Sequence, residues 1–210
     1  PPPLLVLIVV DQLRADLMTR YRAAFSGGLA RLADEGLSFA NTTHDHGATE
    51  TSPGHASLST GTHPARHGMV GNVWWEREGG GWSQIFNVID EQAPMLGRPD
   101  LAGGSSRRLQ RAGLADWLLQ QRSGARVVSL SAKDRAAVLL AGKSRDVVYW
   151  IEPSEGRFMT STFYREEDLD WITRFNRDRM PMILADSTWE SNAPEDARML
   201  SRRDTVSYEG

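Results

Sequence analysis

Cysteine is absent from the 210 residues. This excludes disulfides, thiolate-held metal and a cysteine nucleophile, and leaves the redox compartment open. Long apolar runs are also absent. The longest, Leu4 to Val10, falls well short of the ~20 residues that cross a bilayer. No cationic segment precedes it, so it does not read as a signal peptide. Neither charge dominates: 24 Lys+Arg against 27 Asp+Glu give a formal net charge of −3. That balance argues against a basic nucleic-acid-binding face and still permits a local cationic pocket. There is no internal repeat and no low-complexity tract. Histidine is scarce and confined, all five lying between His44 and His67.

What is present suits a sizeable core, since a chain of this length buries roughly 70% of its unfolded surface. Leu4 to Val10 is rich in β-branched residues and reads as a central strand covered on both faces. Leu29, Leu32 and Ala33 share one face of a helix that Gly36 stops, and Leu37 to Thr42 reads as a second strand. Ser52 to Leu58 reads as a strand-to-helix turn with Pro53 near the first helical position. Gly71 to Trp82, rich in Gly and Trp, suggests a hairpin or lid. Arg107 to Arg122 suits an amphipathic helix through Leu109, Leu114, Trp117 and Leu118. Strands are expected at Arg126 to Ser131 and Val147 to Ile151, and a further helix around Trp171. Alternating strands and helices imply an α/β sandwich with a largely parallel sheet. The division expected is a core over residues 1–178, with 71–105 as a lid or insertion. Residues 179–210, weak in periodicity, form a cap, an insertion or a truncated tail.

Four places could carry chemistry. Asp11 follows an apolar run, and in open α/β sheets ligands bind outside the carboxyl ends of strands; it reads equally as a metal ligand or as a helix N-cap. In Thr49-Glu50-Thr51-Ser52-Pro53-Gly54-His55, a hydroxyl at a helix N-terminus meets free N–H groups and the positive dipole end, which favour an oxyanion or phosphate. Ordinary capping is the commoner use of such residues. His44-Asp45-His46 and His63/His67 suggest zinc, but Pro64 breaks the helical spacing of the second pair, so structural histidines are favoured. Lys133-Asp134-Arg135, just past a strand, could clamp an anion or be surface charge.

Taken in order, Val9-Val10-Asp11-Gln12-Leu13-Arg14, Thr51-Ser52-Pro53-Gly54-His55-Ala56-Ser57, Thr60-Gly61-Thr62-His63-Pro64, His67-Gly68-Met69-Val70-Gly71-Asn72, Ser131-Ala132-Lys133-Asp134-Arg135-Ala136-Ala137 and Gly156 to Tyr164 resemble the alkaline phosphatase superfamily. The likeness covers residues 4 to 178. It is strongest to the phosphate-irrepressible alkaline phosphatases, which are related to the nucleotide pyrophosphatase/phosphodiesterases. The resemblance implies an alkaline-phosphatase-like α/β sandwich, a mostly parallel central sheet with helices on both faces, incomplete in this chain. It implies that Thr51 is the nucleophile and forms a phosphothreonine, and that Asp11 and Thr51 are metal contacts. It further implies that the Ser52 backbone N–H, Asn72, Lys133 and Arg135 bind the phosphoryl oxygens. Two Zn2+ ions activate nucleophile and leaving group in that family. A Lys-x-Arg pair beside a doubly charged phosphoryl group favours monoesters; the diesterase branch usually lacks the pair.

The family's other zinc ligands, an Asp-x-x-x-His element, an Asp-His pair and a further His, have no counterpart after His67; Asp186, Asp196 and Asp204 have no neighbouring His. The chain therefore reads as the N-terminal portion of a longer enzyme, nearly inactive alone and completed by the remaining C-terminal half. Expected substrates are small phosphomonoesters, and the expected location, by resemblance alone, is periplasmic or secreted. The alternatives are a phosphodiesterase of the same superfamily and a noncatalytic phosphate-binding module. A sulfatase is disfavoured, because Thr51 stands where a modified Cys or Ser would be needed.

Overall fold

The computed structural model describes residues 3–185, in two compact units divided after Thr43. The first unit holds two short helices, α1 (Ala15–Arg20) and α2 (Gly27–Glu35), and a 3-10 turn at Arg22–Ala24. Gly36 ends α2 as the sequence suggests, donating its N–H to the Leu32 carbonyl at 3.0 Å. The strands expected at Leu4 to Val10 and Leu37 to Thr42 do not form: both stretches are irregular and mostly exposed. The physical reason is that apolar, β-branched composition supplies a tendency, whereas a strand needs a partner ladder and cover, and this unit contains no strand among its described residues.

The second unit, His44–Ala185, contains the remaining elements. It opens with helices α3 (Thr51–Thr60) and α4 (Pro64–His67). A hairpin follows, β1 (Val73–Glu78) against β2 (Gly81–Phe86), antiparallel with Trp75 opposite Gln84. Gly79 and Gly80 at the turn both have positive φ, the backbone that tight hairpin turns require and glycine adopts freely. The expected hairpin is therefore found, with Trp75 and Trp82 on its exposed face. Two short strands, β3 (Ile89–Asp90) and β4 (Gly103–Gly104), pair antiparallel.

Next come α5 (Leu114–Gln121), β5 (Val128–Ser131), α6 (Asp134–Ala141), β6 (Val147–Glu152), β7 (Arg157–Met159), α7 (Asp170–Asp178) and α8 (Met180–Leu184). The sheet has order β5-β6-β7, parallel between the first two and antiparallel between the last two. β5-α6-β6 is thus a βαβ crossover, as the alternation of strand and helix in the sequence predicts.

β6 is buried along Val147, Val148, Tyr149 and Trp150 because both its faces are covered. Val148 and Trp150 join Ala56 of α3 and Ala137, Val138 and Leu139 of α6 in the main core. Val147 and Tyr149 face the other way, with Ile172 of α7. Helices on both faces of a part-parallel sheet are the expected architecture, present here as three strands. The helix expected from Arg107 begins only at Leu114. Ahead of it Leu109 is fully buried in the core, and Arg107 and Arg108 turn back to Asp90 and the Ile89 carbonyl. Those tertiary contacts outweigh helical periodicity. Of the expected tail, α8 is seen, and Asp186, Asp196 and Asp204 lie outside the described residues.

Candidate active site

α3 is a weak helix by composition. Thr, Ser, Pro, Gly and His are poor helix formers, and it is packing that holds Thr51, Ser52, Pro53, His55, Ala56, Ser59 and Thr60 buried. Pro53 sits in the first turn, where its missing N–H costs nothing. Thr51 is the first helical residue and is 9% exposed. Its carbonyl accepts a hydrogen bond from His55 Nδ1 at 2.8 Å. A carbonyl can only accept, so the proton resides on Nδ1.

Ser52 is fully buried, and its N–H donates to Asn72 Oδ1 at 3.0 Å. The sequence leads one to expect that N–H at a phosphoryl oxygen; in the structure the Asn72 carboxamide takes it. The consequence is orientational. With Oδ1 turned to a backbone donor, the Asn72 NH2 faces the other way as a donor. Glu50 stands at the N-cap position of α3 without capping it through its side chain; its Oε2 accepts from the Asn72 N–H at 2.6 Å. Asn87, 5% exposed, completes the arrangement by donating from Nδ2 to Ser52 Oγ at 2.5 Å and to the Asn72 carbonyl at 2.6 Å.

Lys133 and Arg135 lie at the carboxyl end of the parallel strand β5, where α6 begins. The Lys133 N–H donates to Ser131 Oγ at 3.2 Å, and Arg135 N–H to Asp134 Oδ1 at 2.6 Å. Both residues line a cavity of about 230 Å³ with Ile89, Gly103, Gly104 and Trp150. Arg135 Nε is buried with no hydrogen-bond partner among the described residues, and its Nη1 lies 3.7 Å from Asp134 Oδ1. A buried guanidinium N–H without an acceptor is costly unless a ligand supplies one. Thr51, Ser52 and Asn72 do not line this cavity. They adjoin it through one short segment, because Asn87 is followed by Val88 and by Ile89, which lines it. Gly103 admits no side chain: a Cβ there would lie 2.2 Å from the Ala93 carbonyl oxygen.

Asp11 is exposed, in a turn of the other unit. It does not cap a helix, since α1 starts at Ala15 with Arg14 as its N-cap. Among the described residues no group of three or more His, Asp or Glu is arranged to hold a metal ion.

One of the histidines serves the framework. His67 is fully buried, with the Met69 N–H donating to Nδ1 at 3.1 Å and Nε2 3.0 Å from Ser57 Oγ. Burial, then His46 and His63 nearby, push its pKa down to about 4. Burial and the neighbouring His44 and His63 also hold His46 below the usual imidazole range. Asn87 and Glu50, which organise the loop around Asn72, escape the sequence reading because each meets partners far along the chain.

A sequence model described as type I phosphodiesterase / nucleotide pyrophosphatase matches residues 5–198. Alkaline phosphatase PafA of Elizabethkingia meningoseptica is 34% identical over all of this chain and 39% of its own length. Alkaline phosphatase PhoV of Synechococcus elongatus is 32% identical over 99% of this chain and 38% of its own length. The chain thus spans about two fifths of these relatives. The solved structure of wild-type alkaline phosphatase PafA superposes with a TM-score of 0.87 at 33% identity, covering 96% of this chain and 39% of that one. A PafA variant with a threonine, an asparagine, a lysine and an arginine replaced gives 0.86 at 31% identity, covering 95% of this chain and 39% of that one.

Proposed function

From membership of the type I phosphodiesterase / nucleotide pyrophosphatase family, to which this chain belongs, we propose that it supplies the nucleophile and phosphate grip of a phosphomonoesterase acting through a phosphothreonine. Its residues form the N-terminal portion of that enzyme. The observation that carries this is the cavity at the carboxyl end of β5. Lys133 and Arg135 line it together, and Arg135 Nε is buried there without an acceptor among the described residues. Phosphoryl transfer depends mainly on positioning and charge compensation. Lys133 offers a point charge and Arg135 a planar fork for the nonbridging oxygens, and Asn72 adds an outward NH2. The four residues changed in the PafA variant support the assignment. They have the same order as Thr51, Asn72, Lys133 and Arg135, the same separation between threonine and asparagine, and the same single residue between lysine and arginine.

In this reading Thr51 Oγ attacks phosphorus, the ester alcohol leaves with a proton, and water then cleaves the phosphothreonine to inorganic phosphate. A threonine hydroxyl needs activation, which the resemblance assigns to two zinc ions touching Asp11 and Thr51. Those two oxygens fall short of the four donors of a zinc site, and no group of three or more such ligands stands among the described residues. The 210 residues alone are then nearly inactive. Export to the periplasm or medium rests on the resemblance alone; among the described residues no helix is long and apolar enough to cross a membrane.

The test uses the full-length polypeptide. Thr51→Ala abolishes hydrolysis and any acid-stable phosphoenzyme. Replacing Lys133 and Arg135 by Ala lowers kcat/KM for an aryl phosphate by about 10²–10⁴ and for its methyl diester by less. The family description favours a diesterase as the second reading, and a higher kcat/KM for the diester with both cations intact would establish it instead.

A further inference from the structure

We propose that Asn87 is a positioning residue that sets the Asn72 carboxamide and joins it to the Lys133/Arg135 cavity; this rests on the reading of Asn72 as a phosphoryl-oxygen donor. Asn72 lies in the loop between α4 and β1, a place where nothing in the local backbone fixes a side chain. Four hydrogen bonds fix it nonetheless. Its N–H goes to Glu50 Oε2, its Oδ1 accepts from the Ser52 N–H, and its carbonyl accepts from Asn87 Nδ2 and, at 3.4 Å, from the Asn87 N–H. Of the polar groups of Asn72 only the NH2 remains without a partner among the described residues.

Asn87 is the member that closes the ring. A carboxamide has two N–H donors on one atom, and here they go to two different segments: Ser52 Oγ at the start of α3 and the Asn72 carbonyl in the loop. Its Oδ1 accepts from the Val88 N–H at 2.5 Å. The next residue, Ile89, enters β3 and lines the cavity that holds the two cations. One buried side chain thus ties the nucleophile-bearing helix, the asparagine loop and the wall of the anion cavity. No other side chain of this size does the same. Aspartate keeps the shape but loses both donors and sets a carboxylate against the Asn72 carbonyl. Serine cannot span both acceptors, and glutamine is too long for a site this buried. Asn87 and Ser52 are buried with their hydrogen bonds made, which holds this part of the network rigid. Displacing a gripping donor by about 1 Å is enough to cost about 100-fold in rate.

A double-mutant cycle in the full-length enzyme decides it, with an aryl phosphate as substrate and a denaturation midpoint measured for every variant. Asn87→Ala should lower kcat/KM about 10- to 100-fold, and the same change placed on Asn72→Ala should lower it less than about 3-fold further. A purely structural role would instead multiply the two losses, and that result overturns the proposal. If Asn72→Ala leaves kcat/KM unchanged, the reading of Asn72 has failed and the positioning role falls with it. If Asn87→Ala does not fold, Asn87→Asp takes its place in the cycle with the same two outcomes.

Discussion

A neutral imidazole stands at the base of the loop that leads to Asn72. His67 accepts from the Met69 N–H on Nδ1 and meets Ser57 on Nε2, so a second proton would remove an acceptor that the loop uses. Its pKa is about 4 in the folded chain against 6.5 when unfolded. Between those values the unfolded chain binds more protons, so stability is fully present above pH 6.5 and falls as pH drops toward 4. Urea midpoints at pH 8, 6 and 5 should decline, and His67→Gln should flatten that decline. At this scale the sequence offers Thr51, Lys133 and Arg135 as candidates, since each belongs to a short motif with a chemical meaning. It does not announce Glu50 or Asn87. Their function is to meet partners 22 and 35 residues away, and no local pattern encodes such a meeting.

Among the elements, the crossover β5-α6-β6 and the hairpin are legible because their periodicity and turn residues act locally. The two strands expected in the first forty-odd residues are not, because strand formation is a property of pairs. Nor does periodicity find the true start of α5, which Asp116 sets. Its Oδ2 accepts from the buried Gly113 N–H at 2.6 Å and from the Lys143 N–H at 2.9 Å, linking α5 to the loop after α6. Asp116→Ala leaves a buried N–H unsatisfied and should destabilise by about 1–3 kcal/mol, measured by urea unfolding. Asp116→Asn retains an acceptor and should cost less.

For the molecule as a whole, the sheet has an open side. β5 pairs only with β6 among the described residues. On the face away from α6, Val128 and Leu130 are 56% and 47% exposed. Exposed apolar strand edges invite intermolecular pairing. The 210-residue chain should therefore scatter light increasingly with concentration, and Leu130→Lys should reduce the scattering without lowering the melting temperature. Unchanged scattering would place the sticky surface elsewhere.

The helix that presents Thr51 carries a last consequence. Its ten residues have almost no helical inclination of their own, and a nucleus formed from them would dissolve. It can persist only once Ala56 is enclosed by Ala137 and Val138. Amides of Gly54 to Gly61 should accordingly gain protection in pulsed hydrogen exchange no sooner than those of α6. Partly assembled chains would then hold no ordered hydroxyl at position 51, and order there would arrive last, as a sign that the interior had already closed.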